Sequence, residues 1–583
     1  ALDLAHSARH LRSACKIRTL HLDIHERLSM EYMTNFDKLL KKLIFLVIIV
    51  TAVGLFFPLT STSFGPWYAS ISKYIALSNN WSDLMLSNQD WLDKPHFPFW
   101  MAAISFKIFG INSFAYILPG FLFHLVGALY TYKLAKYLYN NETIALLACL
   151  IYLSVFHLLM SAIDIRAEAY LLGQIMPAVY YWLKYDQRFS LKYLLLGAFF
   201  TGLGLMTKGI FVIITIVSGL FCIWVYTKRL INVIHPKWIL ALGLSFAFAL
   251  PEFVALYLQF DLHPEKIVFG HTHVSGLRWF FIDSQFGRFF GTGYIMSTAP
   301  MPFHELFFIH TFLWSFLPWS LVYPVAIYYS LRYFKRQDSS TKFATIFLLG
   351  NFWISFVMFS VTTFQVDHYT NIIFPFAAIL SAKFMCDYAK SNHKIFTIQQ
   401  GLALLMLALL GIIIGIVFHG LVLALLVGLE ILAVLLVVKY WGQIPFVKAI
   451  LLPVVAICMV HICYSIINGY LYHQYDTGYL AAQITNQHPE TPVVDYEFDS
   501  RALEFYVQNK YYRANNPAEL PPLQSFYLVT QDKNWSAIAA NFPRAQLVGQ
   551  VKGNLPEKVL PHLINATELA NNLNTYNIIL IQR

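Results

Sequence analysis

The chain has 583 residues, of which 58% are hydrophobic and only 12% charged. No soluble domain needs that much apolar surface, so the composition excludes an ordinary water-soluble globule and indicates a polytopic membrane protein. The formal charge of +10 does not point to nucleic acid, because the Lys and Arg are spread over loops rather than gathered on one soluble face.

In chain order, residues 1–42 form a His- and Arg-containing segment without pattern, expected on the cytoplasmic side, with Met30 and Met33 as candidate start positions. The apolar run at 43–59 lacks a small-residue cleavage site and reads as a first transmembrane helix rather than a removed signal. About thirteen apolar runs then divide residues 43–472, at 43–61, 113–137, 142–160, 166–183, 193–207, 209–226, 238–258, 307–331, 343–362, 370–388, 398–418, 420–438 and 449–472. Threaded alternately, they place the short basic loops on one face, including Lys133/Lys136, Lys184/Arg188/Lys192, Lys228/Arg229/Lys237 and Arg332/Lys335/Arg336/Lys342. The positive-inside rule makes that face cytoplasmic.

The opposite face receives two long loops (62–112 and 259–306) and the tail, 473–583. In the first loop, Trp67–Leu77 reads as an amphipathic helix and Phe97–Phe109 as a second apolar one; both are expected to lie in the membrane interface with their apolar faces in lipid. The tail alternates strand-like runs (Val493–Phe498, Phe526–Thr530, Tyr576–Ile581) with helix-like ones (Arg501–Lys510, Asn534–Phe542), and a small α/β domain is expected. The cysteines (Cys15, Cys149, Cys222, Cys386, Cys458, Cys463) show neither a disulfide framework nor a zinc-type spacing.

Nearly every polar cluster capable of chemistry falls on the outward face. A transporter needs polar groups at mid-depth; an enzyme working on a lipid-borne substrate gathers them at one surface. Asp93 and Lys94 sit beside Pro95 just before the second loop helix, a rigid way to present charge at headgroup level, though an ordinary surface ion pair reads the same. Asp164 and Glu168, four apart, share a helical face with Arg166 to one side; charges at a membrane boundary are costly and commonly functional, while the blander reading is a structural salt bridge. Lys208 stands alone between two apolar helices, suited to a phosphate on a lipid carrier or to simple snorkelling. Arg288, His304 and the Asp367-His368 pair complete the outward set. His271 and His273 alternate as metal ligands do, yet lack a third ligand and read as solvated loop histidines. Glu430, mid-span, is the best support for the alternative of a transporter or flippase. No phosphate-cradling Gly-rich loop, nucleophile elbow or metalloprotease helix is present, so a soluble nucleotide-dependent mechanism has no support.

Taken in order, Asp93-Lys94-Pro95, Leu205-Met206-Thr207-Lys208-Gly209 and Phe303 through Leu317-Pro318-Trp319 resemble the integral membrane glycosyltransferases of the GT-C fold. The branch they are most similar to is the bacterial aminoarabinose lipid A transferases, related to protein O-mannosyltransferases. The resemblance implies a polytopic helical fold, an inner-membrane location, a polyprenyl-phosphate sugar donor, and transfer on the periplasmic face with inversion at the anomeric carbon. The expected transfer is of 4-amino-4-deoxy-L-arabinose to lipid A, with a protein or polysaccharide acceptor as the alternative. Asp164 is expected as base or as partner of a donor amino group, Asp93 as the group orienting Lys94, and Lys94, Lys208 and Arg288 as screens for the carrier phosphate. Arg166, Glu168, Tyr68, His304, Asp367 and His368 are expected to line the cavity. Two departures stand out. The family's acid in the first outer loop has no counterpart in Ser63-Phe64-Gly65-Pro66-Trp67-Tyr68, and the family's metal-holding acid–His pair corresponds to Asp93 and Gln285. No metal is therefore expected to be required, a divalent ion near Asp93 being the alternative.

Overall fold

The computed structural model describes residues 34–60, 64–294, 306–389, 391, 393–418, 420–439, 445–498, 500–553 and 573–583. Helices dominate. α1 (Thr34–Phe56) carries Asp37, Lys38, Lys41 and Lys42 in its first turns and is apolar for most of its length from Leu43 on, and asparagines punctuate the chain after it. Asn112 accepts from the Ala115 amide at 2.9 Å to start α4 (Ser113–Tyr139). Asn140 ends α4 in the left-handed region, and Asn141 caps α5 (Glu142–Leu153) through the Ile144 amide at 3.0 Å. These short side chains satisfy amides that helix ends leave without partners. The outward loop carries α2 (Gly65–Ser78), a two-stranded hairpin β1 (Met85–Leu86) and β2 (Gln89–Asp90), and α3 (Phe97–Phe109).

α7 (Ala167–Gln187) lies at the centre, packed against α4 on one side and α8 (Leu191–Lys208) on the other. The approach to α4 is close enough that a Cβ on Gly173 would sit 2.3 Å from the Phe123 carbonyl oxygen, the small-residue contact by which membrane helices associate. α9 (Val212–Tyr226) then packs along the Ser339–Ser360 helix.

Helices occupy the places of the apolar runs, but not all are plain crossings. Among the described residues six helices are long and apolar enough to span a membrane, or seven if the pair Pro236–Phe248 and Leu250–Asp261, bent by 48°, is one span. The run expected as one helix at 142–160 is α5 followed by a separate α6 (Phe156–Ser161). That at 307–331 is likewise two helices, Phe307–Ser315 and Val322–Arg332. The two breaks face each other. The Phe156 amide donates to the Leu317 carbonyl at 2.7 Å, and the Trp319 indole donates to Ser154 Oγ at 3.0 Å. Backbone groups freed in an apolar interior thus find partners in one another.

The tail holds a five-stranded sheet ordered β4-β3-β5-β7-β6, from β3 (Val493–Tyr496), β4 (Tyr511–Ala514), β5 (Ser525–Gln531), β6 (Gln546–Gly553) and β7 (Asn574–Gln582). β3 is parallel to β4 and β5, whereas β7 is antiparallel to β5 and β6. The helix-like runs shrink to Leu503–Tyr506 and Trp535–Asn541. The tail is seated on the outward loop. Lys73 of α2 donates to the carbonyls of Glu504, Phe505 and Val507 at 2.9, 3.2 and 2.5 Å, and the Tyr506 hydroxyl accepts from the Leu59 amide at 2.9 Å. This corrects one expectation. The apolar face of α2 does not lie in lipid: Ile71 and Ile75 are buried against Leu84 and, on α3, Phe99 and Ala103.

Candidate active site

The outward ends of α7, α8 and α9 meet the loop residues Asp93-Lys94-Pro95 and the segment around Arg288 at one open cavity. Three cations expected to bind phosphate come together on its wall. Lys94 is placed by the Pro95 turn that opens α3, Lys208 is the last residue of α8, and Arg288 follows a stretch of wide helical turns at Trp279–Gly287. Gly209, with φ of +93°, ends α8 and lets Gln285 close over it; a Cβ there would sit 2.3 Å from the Gln285 amide nitrogen, which donates to the Lys208 carbonyl at 3.2 Å.

Two carboxylates hold these cations. Asp93 pairs with Lys94 at 2.8 Å and with the Arg288 guanidinium on its other oxygen, while Lys208 pairs with the buried Glu168. Burial pushes the Asp93 carboxyl up, but Lys94 and Arg288 outweigh it and hold the group well below the usual carboxylate range. Burial and the neighbouring Arg288 charge bring the Lys94 ammonium down to about 8, against the pull of Asp93. Lys208 also lies 4.3 Å over the Tyr369 ring, and Arg288 5.6 Å over that of Phe364. Away from this charged end the cavity wall is apolar, with Leu171, Phe211, Val212, Met358, Phe359 and Ile372.

Other expected residues stand one layer back. His368 lies 3.8 Å from Glu168, 3.1 Å from Asp367 and 3.1 Å from the Arg166 guanidinium, so His368 and Asp367 buttress the wall; the residues of that segment that reach the cavity are Tyr369 and Ile372. Arg166 also binds Asp164 at 3.2 Å. Asp164 is not on this cavity. It lines a separate cleft with Ile163, Tyr464, Ser465 and Asn468, where its second oxygen is buried without a hydrogen-bond partner. Tyr68 lies with Arg166 and Tyr170 on the far side of Lys94, its hydroxyl pushed well up by burial and by Asp93 and Glu168. His304 lies outside the described residues. His271 and His273 are exposed, and among the described residues no group of three His, Cys, Asp or Glu side chains is arranged to hold a metal ion. Glu430 is away from the cavity, its carboxylate facing Gly411 of the Lys394–Val417 helix. Sequence reasoning missed the aromatic wall (Phe211, Phe289, Phe359, Phe364, Tyr369), because aromatic residues at helical spacing read as core.

A family model described as dolichyl-phosphate-mannose-protein mannosyltransferase matches residues 93–253, which contain Asp93, Lys94, Glu168 and Lys208. The undecaprenyl phosphate-alpha-4-amino-4-deoxy-L-arabinose arabinosyl transferase of Photorhabdus laumondii is 26% identical over 60% of this chain and 59% of its own length. The protein of that description from Wigglesworthia glossinidia brevipalpis is 29% identical over 29% of this chain and 31% of its own. The chain thus spans about three fifths or less of these curated relatives. The crystal structure of ArnT from Cupriavidus metallidurans bound to undecaprenyl phosphate is similar with a TM-score of 0.70 at 14% identity, over 92% of this chain and 97% of that one. That likeness is one of fold, and it bears out the GT-C architecture expected from the sequence, tail sheet included.

Proposed function

We propose that this chain, a membrane protein of the GT-C fold, transfers a sugar from a polyprenyl-phosphate carrier to an acceptor at the face of the membrane where Lys94, Lys208 and Arg288 converge. The observation that carries the reading is the two-part cavity: three cations from three separate elements at one end, and an apolar channel wall behind them. That arrangement suits a ligand with a phosphate head and an isoprenoid tail. The finer reading, 4-amino-4-deoxy-L-arabinose moved to lipid A in a bacterial inner membrane, with the amino terminus cytoplasmic and the tail periplasmic, is supported by the descriptions of the relatives and by the basic loops at the opposite face.

In the reaction, the bond from the anomeric carbon to the carrier phosphate oxygen breaks as a bond from an acceptor oxygen forms on the opposite face of the sugar. The departing phosphate gains charge, and the preorganised cations stabilise it. Binding requires Lys94, Lys208 and Arg288 to turn from Asp93 and Glu168 toward the phosphate. A hydroxyl acceptor needs a base, which Asp164 supplies only to an acceptor that enters through its separate cleft and uncovers its buried oxygen; a phosphate acceptor, already anionic, needs mainly positioning. Lys94 and Arg288 already occupy the Asp93 carboxylate, so we infer a metal-independent reaction, in which a chelator leaves transfer intact.

Mass spectrometry of lipid A tests the reading, comparing cells with the gene, without it, and with Lys208→Ala. The expected result is an aminoarabinose-sized addition lost in the deletion and reduced at least tenfold in the variant, since a charge-assisted contact contributes about 1.5–3 kcal/mol. Unchanged lipid A in the deletion overturns the acceptor. The match to the mannosyltransferase family model favours a protein acceptor as the second reading, and glycoprotein staining of the same strains separates the two.

A further inference from the structure

At the end of the bundle away from the cation cluster, four helix ends enclose a cavity of about 510 Å³, far roomier than the 90 Å³ of the outward cavity. Its walls are Tyr139 at the close of α4, Tyr329 in the last turn of the Val322–Arg332 helix and Tyr333 just after it, Thr341 at the start of Ser339–Ser360, and Lys383 and Tyr388 at the end of Phe374–Asp387. Thr341 and Phe359 lie on the same helix 18 residues apart, so the two cavities are separated by about 27 Å at 1.5 Å per residue.

The charged groups facing this cavity are Arg336, Asp338, Lys383 and Asp387. Both carboxylates are already committed. Asp338 caps the Ser339–Ser360 helix, accepting from the Ser340 and Thr341 amides at 2.8 and 2.9 Å. Asp387 is gripped by Lys383 at 2.5 and 2.6 Å. Arg336 has no carboxylate partner among the described residues and rests only on the Tyr333 ring, 5.7 Å away. The Tyr139 hydroxyl is buried with no hydrogen-bond partner, and its ring lies 5.6 Å from the Lys383 ammonium. The unspent capacity is thus a guanidinium, a phenol and the remaining ammonium protons, a set complementary to an anion. On the adjoining helix Tyr328 and Leu331 are 54% and 56% exposed, the apolar and aromatic surface expected where helices meet lipid headgroups. The two cations and two carboxylates of this cavity cancel, so it is the uncommitted donors rather than net charge that suit an anionic headgroup between membrane helices at that depth.

We propose that this cavity binds the phosphate of an anionic phospholipid in the leaflet opposite the cation cluster. The same two helical runs that border it supply Met358, Phe359, Tyr369 and Ile372 to the outward cavity, so a lipid seated here braces one wall of the active site from its far end.

Native mass spectrometry of the purified full chain, with thermal melting in nanodiscs of phosphatidylcholine with and without phosphatidylglycerol, tests the proposal. The wild type is expected to retain one phosphatidylglycerol and to melt higher in its presence. Arg336→Gln, an exposed change, is expected to cut retention at least tenfold and to abolish the melting difference, and Tyr139→Phe to weaken retention in part. Equal retention by wild type and Arg336→Gln overturns the site. The same stabilisation by glycerol 3-phosphate in detergent assigns the cavity to a soluble phosphate ester and overturns the lipid.

Discussion

Lys94 is packed where an ammonium loses much of its hydration, with the Arg288 charge beside it, and its pKa falls to about 8 although Asp93 pulls the other way. The sign follows directly. Below that value Lys94 is charged and available to a phosphate; as pH rises through 8 it becomes neutral and the contact is lost. Carrier affinity is therefore expected to weaken by about tenfold between pH 7 and pH 9.5, the equivalent of one charge-assisted bond. Lys94→Arg, whose guanidinium stays protonated, is expected to flatten that dependence, and binding of a short-chain polyprenyl phosphate across the range checks it. Lys94, Lys208 and Arg288 were legible in the sequence because each is an outward cation isolated from the basic loops. Tyr369 was hidden behind the more chemical Asp367-His368; the tight turn over Asp367–Ile373 sends the pair to Glu168 and Arg166 and leaves the ring facing Lys208. Asp164 was legible as an unusual charge, yet only the fold shows it in a separate cleft.

The outward loop and the tail act as one unit. Lys73 reaches from α2 to three carbonyls at 504, 505 and 507, burial lowering its ammonium to about 8 despite the nearby Glu504. Glu504 in turn accepts from the Ser87 amide and hydroxyl at 2.9 and 2.8 Å, just before Asp93-Lys94. Lys73→Met removes the donor from all three carbonyls and is expected to destabilise the docking of the tail by about 2–4 kcal/mol at roughly 1 kcal/mol per bond. Hydrogen exchange at residues 503–510 is the measurement: those amides should exchange faster while α7 and α8 stay protected. The helix in this loop was legible from its period of 3.6, but its cover was not, because an apolar stripe reads the same whether lipid or protein buries it. The breaks after α5 and after Ser315 escaped notice for a related reason. Their apolar runs are nearly continuous, and the pairing of Phe156 with Leu317 and of Trp319 with Ser154 is what makes the interruption tolerable.

For the molecule as a whole, composition was sufficient to show a helical membrane body, and the basic loops to divide its two ends. The number of crossings was not readable, since bent and broken helices satisfy the same hydropathy as straight ones. The division of ends is also what gives the active site its access from one side. There, three cations face two carboxylates, leaving a net charge of one at the cavity proposed to take the carrier phosphate. A free phosphate ion must compete with carboxylates already at contact distance, and at millimolar concentration it gains too little to displace them. A phosphate fixed to an isoprenoid tail samples only the bilayer, so its effective concentration at the cavity mouth is far higher. Millimolar inorganic phosphate is accordingly expected to leave transfer unchanged, while a micelle-borne short-chain polyprenyl phosphate competes with the donor. The internal ion pairs thus work as an affinity threshold, and anchorage in the membrane is what lets a ligand cross it.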